Sequence, residues 1–326
     1  MQKTSFDVIA VGDATIDAFL SIQNANDHCR VDDKACELCF PIGDKIPLES
    51  SAFLLGGNAC NLAVGLSRLG LTTSLCAELG NDEFAHKIVY ELSKEQVDRS
   101  LLIVTKHAKS SFAIGVNFKG DRTLFVQHVT REHNFNLDGV SAKWIYLTSI
   151  GHKWKDAYQR VHDFIKRADT KLAFAPGTYQ IDGGFERIAY ILKETDILFL
   201  NKEEGAKIAN CKYQISNKEG MEKLLHALQK LGPKTVVLTD GIKGSYTLDE
   251  KGKTYFQKTF PDPIVERTGA GDAYATGFLA GVMQGESIQN AMTWGTINAG
   301  AVVGVIGAQP GLLTKEKISE RLSKLP

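Results

Sequence analysis

The chain has 326 residues, 43% hydrophobic and 23% charged, the proportions of a soluble globular protein. Its 38 lysines and arginines balance 38 aspartates and glutamates, so it lacks the basic surplus that a nucleic-acid binder needs. No apolar run reaches ~18 residues, which leaves no spanning helix, and Met1 to Ser5 leads straight into a strand pattern without a signal peptide, so a cytoplasmic protein is expected.

From the N-terminus, Phe6–Val11 reads as the first strand, ended by Gly12-Asp13-Ala14-Thr15-Ile16-Asp17. Residues 15–55 then lack a helical period. They include His28, Cys29, Cys36 and Cys39, a conceivable zinc set. The adjacent His28-Cys29 pair suits one tetrahedron poorly and no second CxxC follows, so free thiols are the default. Gly56-Gly57-Asn58-Ala59-Cys60-Asn61 opens a helix over Ala59–Leu69, followed by a strand at Thr73–Ala77 and a helix over Glu83–Leu92. Residues 111–129 alternate instead: Phe112–Val116 and Thr123–Val126 flank a Lys119-Gly120-Asp121-Arg122 turn, which predicts a hairpin. Beyond it, strands at Trp144–Leu147, Leu172–Ala175, Ile197–Leu200 and Thr235–Leu238 alternate with helices at Asp156–Arg167, Phe185–Leu192 and Gly220–Leu231. A last, uniformly apolar helix is predicted over Ala273–Met283. Short apolar strands separated by amphipathic helices imply an α/β protein with a parallel sheet covered on both faces and right-handed crossovers.

The residues with chemical reach fall where these elements begin and end. In Glu266-Arg267-Thr268-Gly269-Ala270-Gly271-Asp272-Ala273-Tyr274, the glycines let the backbone aim N–H groups at one point, at a helix N-terminus where anions are favoured. Asp272 adds a carboxylate placed to take a proton from an attacking hydroxyl. An anion pocket beside a base points to phosphoryl transfer onto an alcohol. Gly56, Gly57, Asn58 and Asn61 suit a polyhydroxy ligand, and equally describe a Gly-rich turn with an asparagine cap. Asp13 and Asp17 follow a strand's carboxyl end, where open α/β sheets bind ligands. Asp17 can accept from two sugar hydroxyls; loop capping is the alternative, more so for Asp13. Asn201 and Glu204 either form a capping box or organise phosphates and water-bound Mg²⁺. Thr239-Asp240-Gly241-Ile242-Lys243-Gly244 is a turn suited to nucleotide contact or a plain connection. A P-loop, a dinucleotide fingerprint and the protein-kinase residue set are absent.

Together these stretches resemble the ribokinase/PfkB family of carbohydrate kinases along the length of the chain. Gly56–Asn61, leading through Gly65 and Gly70 to Gly80, is similar to the N-terminal signature, and Thr268–Ala273 to the C-terminal one. Asn201 and Glu204 match the Asn-x-x-Glu motif, and Gly241 to Gly244 the nucleotide loop. The resemblance implies a ribokinase-like three-layer α/β/α core (1–14, 56–110 and 130–326) with a small discontinuous β lid (15–55 and 111–129). It implies ATP-dependent phosphorylation of a primary hydroxyl on a small sugar, with a nucleoside as the alternative acceptor and a catalytically dead binding protein as the non-enzymatic reading. Asp272 would be the general base and Gly269, Ala270 and Gly271 the anion hole. Asp17, Gly56, Gly57, Asn58 and Asn61 would hold the sugar, and Asn201, Thr239, Gly241, Gly244 and Asn298 the nucleotide. Glu204 would hold Mg²⁺ through water. Family members often pair through the lid, so the resemblance opens a homodimer as one reading and a monomer as the other.

Two departures stand out. Glu266-Arg267 replaces the usual Asp-Thr, whose Asp often helps bind an activating monovalent cation. Glu266, with the 304–311 loop, is thus the candidate K⁺ site, and K⁺ activation does not follow automatically. Asn58 replaces the lysine common in ribokinases, so the acceptor need not be ribose.

Overall fold

The computed structural model describes residues 4–22, 30–32, 37–118, 121–211, 215 and 217–325. An eight-stranded sheet has the order Thr254–Gln257, Ser245–Leu248, Thr235–Thr239, Ile197–Asn201, Lys171–Phe174, Val140–Leu147, Thr4–Val11, Thr73–Cys76. All neighbours are parallel except the two edge strands beyond Thr235–Thr239, which turn back antiparallel. Each strand run read from the sequence is present, with its ends within two residues of those read, except that the Trp144–Leu147 strand starts four residues earlier, at Val140.

The strands are apolar on both faces because both are covered. Val8 and Ala10 enter one core, where they meet the helices Asn58–Arg68, Glu83–Lys94, Ala270–Met283 and Ile288–Val303. Ile9 and Val11 enter the other, under Trp154–Arg167 and Lys218–Gln229. The same alternation recurs at Phe199 against Leu198 and Leu200. Ala270–Met283 has no polar stripe because it is enclosed. Phe278 and Leu279 are wholly buried, each contributing about 1.5–3 kcal/mol of transfer free energy. It crosses Ile288–Val303 closely: a β-carbon at Gly277 would strike the Trp294 carbonyl, and one at Gly281 would press on Ala291.

The predicted helix over Phe185–Leu192 is a 3₁₀ turn, Phe185–Arg187, followed by a short helix, Ala189–Leu192. The apolar spacing of Ile188, Ile191 and Leu192 reflects burial of this irregular stretch. The strands Ser245–Leu248 and Thr254–Gln257 and the helices Ile288–Val303 and Lys315–Ser323 extend the predicted set.

A separate four-stranded sheet has the order Asp121–Gln127, Phe112–Phe118, Thr15–Ile22, Ser50–Gly56. Its hairpin pairs Phe112 with Gln127 through Phe118 with Asp121, around a turn whose Lys119-Gly120 lies outside the described residues. Of the conceivable zinc set, His28, Cys29 and Cys36 also lie outside them. No group of three or more metal-ligating side chains occurs among the described residues. No helix there is long and apolar enough to cross a membrane.

Candidate active site

The polar groups collect where strands end and helices start. Asp17 projects from the second sheet and is 8% exposed. Thr15 Oγ1 donates to its Oδ1 at 2.8 Å. Gly56 pairs with Thr15 on the neighbouring strand, and a β-carbon there would overlap the Asp17 carboxylate. Burial raises the Asp17 carboxyl, with the Thr15 hydroxyl and the Arg122 charge opposing. Gly57 follows at φ 92° and caps the helix Asn58–Arg68 without any side-chain cap. The asparagine-cap alternative therefore fails, and Asn58 keeps an exposed amide. One turn in, buried Asn61 donates from Nδ2 to Asp272 Oδ2 at 2.8 Å and accepts from Gln309 Nε2 at 3.0 Å. A single side chain thus joins the Gly56–Asn61 segment to the C-terminal run.

Gly269 is the N-cap of the helix Ala270–Met283, in the left-handed region at φ 73°. The first-turn N–H groups of Gly271 and Asp272 have no carbonyl one turn earlier, and a β-carbon at Gly271 would meet open space. Burial pushes the Asp272 carboxyl up to about 7; the Asn61 amide opposes this, and the Asp17 and Glu204 charges add to it. A carboxylate poised near neutrality, beside N–H groups that favour an anion, is equipped to accept a proton.

A cavity of about 520 Å³ adjoins this helix start. Thr239, Gly241, Gly244, Ala270 and Gly271 lie on its wall, together with Arg267, Thr296 and Gly300, to which the sequence assigned no role. Asn298 is not on that wall. It is completely buried, donating from Nδ2 to the Ala273 carbonyl at 2.8 Å and accepting from the Leu313 N–H at 3.0 Å. Its amide fixes the first turn of Ala270–Met283 from behind, while Thr296 and Gly300 of the same helix line the cavity.

Asn201 and Glu204 form a complete capping box, with Glu204 N donating to Asn201 Oδ1 at 2.8 Å and Asn201 N to Glu204 Oε2 at 2.9 Å. Glu204 Oε1 is left over. Burial raises the Glu204 carboxyl, opposed by the Asn201 N–H, and its charge in turn raises Asp272. The remaining Glu204 carboxylate oxygen is a hard donor of the kind that suits a hydrated Mg²⁺.

Glu266 does not fit the expected alkali-cation role. Its side chain is 3% exposed and paired with Arg122 Nη1 at 2.8 Å. The N–H groups of Thr268 and Gly307 also donate to it, at 2.7 and 3.3 Å, as does the Thr268 hydroxyl. Three donor hydrogens converge on Oε1 and one on Oε2, and the Arg122 charge already pairs the carboxylate, so a cation would compete with bonds in place.

A buried carboxylate beside first-turn N–H groups, with a cavity of about 520 Å³ alongside, is an arrangement that suits a small-molecule kinase. The chain belongs to the pfkB family of carbohydrate kinases, whose family model matches residues 36–315. It is 27% identical over 301 residues to the 5-dehydro-2-deoxygluconokinase of Clostridium beijerinckii, covering 85% of this chain and 87% of that one. The enzyme of the same name from Bacillus licheniformis is 23% identical over 99% of this chain and 97% of its own. Among solved structures, the nucleoside kinase of Methanocaldococcus jannaschii superposes with a TM-score of 0.78 at 21% identity, covering 100% and 99% of the two chains. Arabidopsis thaliana ribokinase complexed with ribose and ATP gives 0.76 at 19% identity, covering 100% of both. The chain thus has the ribokinase-like fold.

Proposed function

We propose that this carbohydrate kinase transfers the γ-phosphoryl group of ATP to a primary hydroxyl of a small sugar, with Asp272 as general base. The observation that carries this reading is the Asn61–Asp272 hydrogen bond, 2.8 Å long, which sets the base against the Gly56–Asn61 segment. Asp17, Gly56, Gly57, Asn58 and Asn61 hold the acceptor hydroxyls. The acceptor oxygen attacks the γ-phosphorus as Asp272 takes its proton, and the bond from the γ-phosphorus to the β-bridging oxygen breaks to release ADP. The N–H groups at Gly269–Gly271 stabilise the charge that builds on the transferring group. Thr239, Gly241 and Gly244 line the nucleotide side, and Asn201 holds Glu204 in place. Glu204 would hold Mg²⁺ through water, and the ion would neutralise charge on the phosphates. The four-stranded sheet acts as a lid that excludes water.

The relatives' name supports a keto-sugar acid as acceptor. ADP release measured across pentoses, hexoses, keto-sugar acids and nucleosides is the test. Turnover with sugars or sugar acids is expected, and activity confined to nucleosides overturns the sugar reading.

Arg267 lies on the cavity wall beside Ala270 and Gly271, and among the described residues no ion-pair partner holds it. We expect Arg267→Ala to raise KM for ATP about tenfold while kcat changes less, as for loss of one phosphate-facing cation. An unchanged KM removes Arg267 from nucleotide binding.

A homodimer through the lid is supported by its outer face, where Phe53 and Phe125, 52% and 58% exposed, lie in one cross-strand row with Ala18 and Ile114. Light scattering is expected to return twice the 35.7 kDa chain mass. The mass of a single chain at every concentration would remove this assembly.

A further inference from the structure

Two pieces of chain distant in sequence, together with the nearby Thr268, converge on the Glu266 carboxylate. Its Oε1 accepts from Arg122 Nη1 and from the N–H and hydroxyl of Thr268, and its Oε2 from the Gly307 N–H. Thr268 begins the anion loop, Gly307 belongs to the loop beneath it, and Arg122 comes from the edge strand of the second sheet. Arg122 shares a cross-strand row with Asn117 and Ser21, so it points from the same face of that sheet as Asp17. Packing is tight at this junction. A β-carbon at Gly307 would strike Leu54 of the second sheet, and one at Gly269 would strike Ala308.

A carboxylate buried this far needs a counter-cation, because leaving it alone costs the full desolvation of an ion. Here the counter-cation is a side chain. Its planar guanidinium presents its hydrogens in a fixed direction. The oxygens that an alkali ion would bind already receive hydrogens from four groups.

We propose that Arg122 is the built-in counter-cation of Glu266: a positioning residue that neutralises the carboxylate beneath the anion loop, frees turnover from any added monovalent cation, and couples the second sheet to the geometry of that loop. This rests on the reading of Thr268–Gly271 as the anion loop.

The test pairs a measurement of stability with one of turnover. For the wild type, the same Tm is expected in tetramethylammonium and potassium buffers, with kcat changing less than about twofold. Arg122→Ala is expected to lower Tm by several degrees and to lower kcat about tenfold or more, with a smaller change in KM for the acceptor. Methylguanidinium should recover part of both losses. Arg122→Lys should recover less than the wild-type fork provides. In the double variant Arg122→Ala with Glu266→Gln, Tm should recover because no buried charge is left to pair. Tenfold activation of the wild type by potassium overturns the proposal, as does an Arg122→Ala enzyme equal to wild type in both readouts. A loss that neither methylguanidinium nor Glu266→Gln repairs also overturns it, since that is plain structural damage. The two readings fail separately. A rescuable Tm effect in a protein that phosphorylates no acceptor leaves the ion pair and removes the kinase-site reading. A silent Arg122→Ala in an active kinase does the reverse.

Discussion

Asp272→Asn is expected to lower kcat by ~10²–10⁴, the usual contribution of a positioned base, while ATP affinity stays near wild type and the protein becomes more stable at pH 8. The two effects share one cause. Burial lifts the Asp272 carboxyl from 3.8 to about 7, so the folded protein binds this proton more tightly than the unfolded chain does. As pH rises from about 4 to about 7 the unfolded state ionises first, and the folded state falls behind by up to about 4 kcal/mol at roughly 1.4 kcal/mol per unit. Below pH 4 both states hold the proton and the penalty vanishes. Asparagine never titrates, so above pH 7 the variant escapes the penalty, and its Tm is expected to exceed wild type by several degrees. In the wild type, kcat/KM should rise with pH and level off above about 7 as the base ionises. Turnover unaffected by the substitution, or a wild-type rate without this acid limb, refutes Asp272 as the base. Reduced turnover with reduced stability at pH 8 would instead indicate a structural role.

The features legible in the sequence were those written in local pattern. Apolar runs such as Ile197–Leu200 are strands because both faces are buried, and amphipathic runs such as Asp156–Arg167 are helices with one wet face. The helix Ile288–Val303 has neither signature: it packs against Ala270–Met283 through small residues, so its pattern carries no stripe. In the site, Gly269, Gly271 and Asp272 were readable because a turn, an open space and a carboxylate must be adjacent in the chain to share a helix start. The bonding of Asn298 was hidden for the opposite reason. It lies on the helix that lines the cavity, and only the three-dimensional structure shows its amide bonded to Ala273 and Leu313. The Arg122–Glu266 pair spans 144 residues, and no local spacing can announce a contact between a strand of the second sheet and a residue just ahead of the helix Ala270–Met283. Likewise, nothing in Glu266-Arg267 says which of the two turns inward.

Gly269→Ala is expected to cost ~10²–10³ in kcat, comparable to deleting a donor from an oxyanion hole, although a methyl group is all that changes. Two effects act together. At φ 73° an alanine is strained by about 1–2 kcal/mol, and its β-carbon would overlap the β-carbon of Ala308. The loop carrying Ala308 cannot yield, because Gly307 backs onto Leu54 and its N–H is bonded to Glu266. The strain is relieved in the other direction: the anion loop lifts toward the cavity and its N–H groups leave their common focus. Gly271→Ala is the control, since a β-carbon there meets nothing within 4 Å in the protein. It should fold with wild-type Tm and lose nucleotide affinity instead, because the methyl enters space that the phosphates need. Melting curves, ATP titration and single-turnover rates on both variants separate a distorted loop from an obstructed one. A Gly269→Ala enzyme with wild-type kcat would mean that the N–H groups of this turn do not hold the transferring phosphoryl group.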